Sequence, residues 1–203
     1  MKLNRINYSM AFVLLSISFA CQNQAQPVAG SVPEESDEKG KAVVYQVFTR
    51  VYGNTNTTNK PWGTIEENGV GKFSDFSEKA LQEIKDLGVT HIWYTGVPQH
   101  AVIRDYTEYG ISNDDPDVVK GRAGSPYAVK NYYSVNPDLA EDPARRVEEF
   151  EALIARTHNA GMKVIIDIVP NHVARKYEEL NSPEGVRSLG ENDDQSVAYN
   201  INN

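Results

Sequence analysis

From residue 41 onward, short apolar runs alternate with stretches whose apolar positions recur every three or four residues. The runs "AVVYQVF" (42–48), "VTHIWYTGV" (89–97) and "MKVIIDIV" (162–169) are β-branched or aromatic and too short for helices. Each predicts a buried strand. Between the first two, "SDFSEKALQEIKDLG" (74–88) predicts a helix. Ser74 is its expected cap, Ala80, Ile84 and Leu87 its apolar stripe, Lys79 and Glu83 its wet side, and Gly88 its end. A second helix is expected over 143–160, with Val147, Phe150, Leu153 and Ile154 at helical spacing and Gly161 closing it. The strands are apolar for most of their length, the pattern of a parallel sheet covered on both faces. Right-handed β-α-β units follow. An α/β barrel and a doubly wound sheet both satisfy this rhythm. No GxGxxG or GxxxxGK[ST] follows a strand, which removes the main support for a nucleotide-binding sheet.

Residues 98–140 show no helical period and predict a long loop. Loops of that length inside domains usually carry function. This one holds Tyr106, Tyr109, Tyr127, Tyr132 and Tyr133. Tyrosine offers a flat apolar face and a polar tip, which suits sugar contacts and equally suits a small aromatic core.

Composition narrows the picture. The chain has 203 residues and a formal net charge of -8, which disfavours nucleic acid as a partner and suits a neutral ligand. Its single cysteine, Cys21, excludes an intrachain disulfide. Lys2 and Arg5 followed by the apolar "MAFVLLSISFA" (10–20) predict a secretory leader over residues 1–21. "SFAC" ending at Cys21 resembles a bacterial lipoprotein box, so membrane attachment is expected only through a lipid on that cysteine. Residues 22–40 read as a disordered tether, and the folded domain as 41–203. The implied location is the outer membrane or cell surface, or the periplasm.

Asp167 is the odd residue of the third run. A carboxylate ending a buried strand loses hydration at high cost unless it is paired. Strand C-termini are where an α/β barrel builds its site, and Asp167, Asn171 and His172 leave the strand there. An aspartate capping the turn before Pro170, with Asn171 in a left-handed turn and His172 on the surface, would read the same way.

"DIVPNH" after "AGMKVII" resembles the first signature region of the alpha-amylase family, glycoside hydrolase family thirteen. "VVYQVFTRVYG" is similar to that family's first barrel strand, "LGVTHIWYTGV" to its second, and "SPYAVKNYYSVNP" to the loop before its second helix. The resemblance implies a partial (β/α)8 barrel, its first three β-α units with a long loop after the second strand. It also implies roles. Asp167 matches the aspartate that holds an arginine of a later motif, and Asn171 a calcium ligand. His172 matches the histidine bonded to the sugar at the cleavage subsite, and Tyr127 the aromatic platform under that sugar. Asp114, Asp115 and Asp117, or the asparagines of "GNTNTTN" (53–59), are further oxygen donors for calcium, or ordinary polar loop residues. Asn131 stands where many members have Asp.

The implied reaction is retaining hydrolysis of α-glucans, which needs two carboxylates about 5 Å apart. No G-x-R-x-D nucleophile motif follows His172, and Glu178, Glu179, Asp193 and Asp194 read as solvated. The nucleophile and acid/base are therefore expected on later strands, beyond Asn203. No residue of this chain is assigned either role, and this polypeptide is expected to be inactive alone. The alternative is a non-catalytic α-glucan-binding lipoprotein.

Overall fold

A computed structural model describes residues 40–187 and 189. The expected leader, the Cys21 lipid and the tether up to residue 39 lie outside the described residues, as do Asp193, Asp194 and Asn203. In chain order the elements are β1 (Val44–Phe48), α1 (Ile65–Asn68), α2 (Glu78–Asp86), β2 (His91–Thr95), β3 (Pro98–His100), β4 (Val129–Val135), α3 (Arg146–Asn159) and β5 (Lys163–Ile166).

β1, β2 and β5 form a parallel sheet in that order. Val44 lies opposite His91, Gln46 opposite Trp93, and Trp93 opposite Ile165. The two-residue period of a strand then sorts the side chains. Val47, Ile92 and Tyr94 go to one face and are buried in a core with Leu81 and Ile84 of α2 and Phe150 and Leu153 of α3. Tyr94 donates to or accepts from the Thr157 hydroxyl of α3 at 2.7 Å. Burial pushes that phenol up to about 12, partly offset by the threonine bond. Val44 and Phe48 go to the other face and remain 47% and 42% exposed. The expectation of a sheet covered on both faces is thus corrected: among the described residues, helices cover one face only.

The helices depart from expectation in detail. α2 is capped by Ser77, whose hydroxyl accepts from the Ala80 amide at 3.2 Å. Ser74 instead sits in a 3₁₀ turn, Phe73–Asp75, and donates to Glu141 at 2.5 Å. That turn takes the first residues of the expected helix because Asp75 accepts from the Lys72 amide. The buried stripe is Leu81 and Ile84; Leu87 is 71% exposed. Leu87 already belongs to the turn completed by Gly88, whose φ of 83° favours glycine. In α3, Val147 is exposed, and its neighbour Arg146 is buried. The Arg146 Nε donates to Ser134 Oγ at 2.8 Å.

Residues 98–140 are not a bare loop. β3 and β4 pair antiparallel, with register shifts on both sides of Gln99. Gly124, at φ 66°, passes so close to β3 that a Cβ would lie 1.7 Å from the Ala101 carbonyl oxygen. Tyr106 is buried with Val102 and Ile111 in a small core, and donates to Asp138 at 2.6 Å. Burial first, then the Asp138 charge, raises the Tyr106 phenol. Lys130 of β4 is buried and paired with Asp114 at 3.0 Å. Glu178 lies 3.6 Å from the same ammonium and accepts from Ser112 Oγ at 2.5 Å. Glu178 is therefore not solvated, and neither is Glu179, which accepts from the Tyr177 hydroxyl at 2.7 Å.

Candidate functional site

Because the three strands run parallel, their C-terminal ends share one rim of the sheet. Asp167 is the first residue past β5. Its Oδ1 accepts from the indole Nε1 of Trp93 at 2.6 Å and its Oδ2 from the Gly96 amide at 2.9 Å. The register explains the reach: Trp93 pairs with Ile165, so its indole has only to lean two residues along the same face. The carboxylate is partly buried and doubly bonded, which offsets its lost hydration. Neither donor is an arginine.

Past Asp167 the chain runs through Ile168, Val169 and Pro170 to Asn171 and His172, both exposed. The Tyr132 hydroxyl donates to the Val169 carbonyl and fixes this stretch against β4. Asn171 Nδ2 lies 3.3 Å from His172 Nδ1. Asn171 is absent from the residues with positive φ, so the left-handed turn a capping reading would require is not formed.

Asp167, Asn171 and His172 line one hollow of about 650 Å³ together with Pro98, Tyr133 and Tyr177. Asp167 is the one carboxylate on its wall among the described residues. Asn203, beyond which the nucleophile and acid/base are expected, lies outside the described residues. Tyr127 is not on that wall. It is 52% exposed and lines a second hollow of about 610 Å³ with Gln46, Phe48 and Thr95. Gly96 stands between the two. Its amide serves Asp167, while a Cβ on it would come within 2.9 Å of the Phe48 ring and 3.3 Å of Pro126. At φ 82° this position strains any side chain. The structure thus brings three of the four expected site residues together and leaves Tyr127 across a glycine from them.

Several of the expected oxygen donors for calcium are engaged elsewhere. Asp114 pairs with Lys130 and accepts from the Val102 amide at 3.2 Å. Asp115 accepts from Asp117 in its own turn. Asn54 and Asn56 accept from backbone amides two residues on and donate to the carbonyls of Asn68 and Glu67. Among the described residues no group of three His, Cys, Asp or Glu side chains is placed to hold a metal. Calcium wants six to eight oxygens, so Asn171 with its described neighbours does not by itself make a calcium site.

Asn131 now has a physical account. It is fully buried, donates to the Leu180 carbonyl at 3.0 Å and accepts from the Tyr133 amide at 2.8 Å. An ionised aspartate would leave that carbonyl without a proton donor. Trp93 and Gly96 are the site residues that spacing did not single out. The readable trace of Trp93 was its parity with Asp167 once a parallel register is assumed.

The alpha-amylase catalytic-domain family model matches residues 46–195. Pullulanase A of Streptococcus pneumoniae is 31% identical over 154 residues, covering 68% of this chain and 11% of that protein. Trehalose-6-phosphate hydrolase of Bacillus subtilis is 28% identical over 138 residues, covering 68% of this chain and 18% of that protein. The crystal structure of an alpha-amylase from Lactobacillus plantarum is 30% identical, covers 67% of this chain and 24% of its own, and superposes with a TM-score of 0.45. The chain spans less than a quarter of the length of each of these relatives.

Proposed function

The chain belongs to the alpha-amylase family, and from that premise we propose that it supplies the first three β-α units of a (β/α)8 barrel acting on α-glucans by retaining hydrolysis. One observation carries the reading. Asp167 is pinned by Trp93 and Gly96 at the C-terminal rim of the sheet and shares a hollow with His172. In a barrel that rim is where substrates bind. His172 hydrogen-bonds a sugar hydroxyl, Tyr127 stacks under a ring, and Asp167 holds the rim in shape through its two donors.

The chemistry itself needs a second carboxylate. Retaining hydrolysis uses a nucleophile and an acid across the scissile bond, and the Asp167 hollow offers one carboxylate among the described residues. In this reading the nucleophile and acid/base stand on barrel strands beyond Asn203, and residues 40–187 bind rather than cleave. Calcium enters the proposal through Asn171 as one oxygen donor, and no step runs through the ion. Export as a lipoprotein anchored at Cys21 belongs to the same proposal and rests on the leader sequence.

The test uses the purified 203-residue chain. It should bind maltose and longer maltooligosaccharides, lose affinity in Tyr127→Ala and His172→Ala, and release no reducing sugar from soluble starch. Clear turnover would put the catalytic carboxylates inside this chain. Absence of any sugar binding would sink the site.

A further inference from the structure

A hollow of about 720 Å³ lies on the loop that follows β1, away from Asp167 and His172. Trp62 is on its wall and is 66% exposed. Exposing an indole to water gives up the largest apolar burial any side chain offers. Its backbone adds a second cost: φ is 58°, a left-handed conformation uncommon for a residue with a large side chain. The loop nevertheless fixes it there. The Asn68 amide clasps Lys60 from both sides, accepting from its N–H at 2.7 Å and donating to its carbonyl at 2.9 Å. The Gly63 amide donates to the same Lys60 carbonyl at 2.9 Å. The Trp62 carbonyl accepts from Arg122 Nε at 2.7 Å. The indole is thus displayed on a braced loop and not left over on a loose one.

Four of the charges around it are paired. Arg50 is paired with Asp138 at 2.6 Å and Arg104 with Glu66 at 2.9 Å. These two guanidinium groups are neutralised, while Lys120, Arg122 and Asp105 also stand on the wall, so charged and neutral hydrogen-bonding groups surround a flat aromatic face. A polyhydroxylated ring uses both, its hydroxyls on the polar groups and its apolar face on the indole. The hollow shares one wall residue with the hollow at the expected sugar site. Lys120 borders both this hollow and the one lined by Tyr127, and Arg122, which braces Trp62, lies five residues before Tyr127 on the same segment.

We propose that Trp62 is the stacking platform of a second sugar subsite, which takes a distal glucosyl unit of an α-glucan whose nearer units lie at Tyr127. The inference rests on the α-glucan reading of the Tyr127 and His172 site and adds a requirement for chain length to it. A short sugar reaches Tyr127 alone; a longer one reaches both platforms.

Calorimetric titration of the 203-residue chain with maltose and with maltoheptaose tests it. Trp62→Ala should weaken maltoheptaose by about tenfold, the usual scale for truncating an aromatic anchor, and leave maltose unchanged. Tyr127→Ala should weaken both sugars. As a second readout, maltoheptaose should change indole emission in the unaltered chain more than in Trp62→Phe. If Trp62→Ala affects neither sugar, or both equally, or if the emission difference is absent, the subsite is overturned while the Tyr127 reading stands. If the unaltered chain binds neither sugar, both fall together.

Discussion

The two faces of the three-stranded sheet are built from the same strands and do opposite work. On the helix side, Ile92 and Tyr94 are fully buried, and Phe76 packs its ring on Tyr52 at 4.1 Å and edge-on to Tyr94 at 5.0 Å. On the other side, Val44 and Phe48 are close to half exposed, and Gln46, Thr95, Trp93 and Asp167 carry the polar chemistry. The apolar core is concentrated on one face and the polar groups of the candidate site on the other. A one-residue slip in register would exchange them, so the pairing of Trp93 with Ile165 fixes both at once.

The largest effect that can break this contrast is on the helix side. Phe76→Ala removes a fully buried ring and should cost about 3–5 kcal/mol, or leave the chain unfolded, in urea titration followed by circular dichroism. Phe48→Ala, on a ring 42% exposed, should stay within about 0.5 kcal/mol. Equal costs would mean that the open face is packed against something in solution, and the contrast would be void.

The next effect lies on the open face. In Asp167→Asn one of two acceptor oxygens becomes an NH₂ group facing a donor, either Trp93 Nε1 or the Gly96 amide. The loss should be about 1–3 kcal/mol, the range for a partly buried donor left without a partner. In a Trp62→Phe background the emission of Trp93 should shift to the red as its indole N–H finds water. An unchanged spectrum with unchanged stability would show that Asp167 does not hold the rim.

The helix-covered face was largely legible in the sequence. Three apolar runs became three parallel strands, and both helix-to-strand passages turn at the expected glycines, Gly88 and Gly161, each with positive φ. The open face was harder to read, because Gln46, Trp93 and Thr95 are spaced among apolar neighbours and such runs read as a sheet covered on both faces. The β3–β4 pair was missed because β3 has three residues, begins with proline, and meets a partner some thirty positions away through a shifted register. Long-range pairing of that kind leaves no local period. The same reason hid Lys130, whose carboxylate partners at 114 and 178 flank it from two different segments. Of the site, Asp167 and His172 could be placed at one rim from the motif alone, whereas the glycine that separates them from Tyr127 needed coordinates.

The smallest effect concerns the β3–β4 pair. His100 of β3 is 4% exposed, with Nδ1 3.2 Å from the Pro98 carbonyl oxygen and Nε2 3.1 Å from that of Ala123. Burial holds its imidazole below the ordinary histidine range, and the two carbonyls offset this in part. The folded chain therefore resists protonation at a pH where the unfolded chain accepts it. Stability contributed by this group is complete above about pH 6.5 and declines as pH falls from there toward the lowered folded value. Between about pH 7 and about pH 5.5 the melting temperature should fall, by less than either substitution above produces, and His100→Gln should flatten the fall. A slope that survives the substitution would assign the titration to another group; a slope that vanishes assigns it to the buried imidazole of His100.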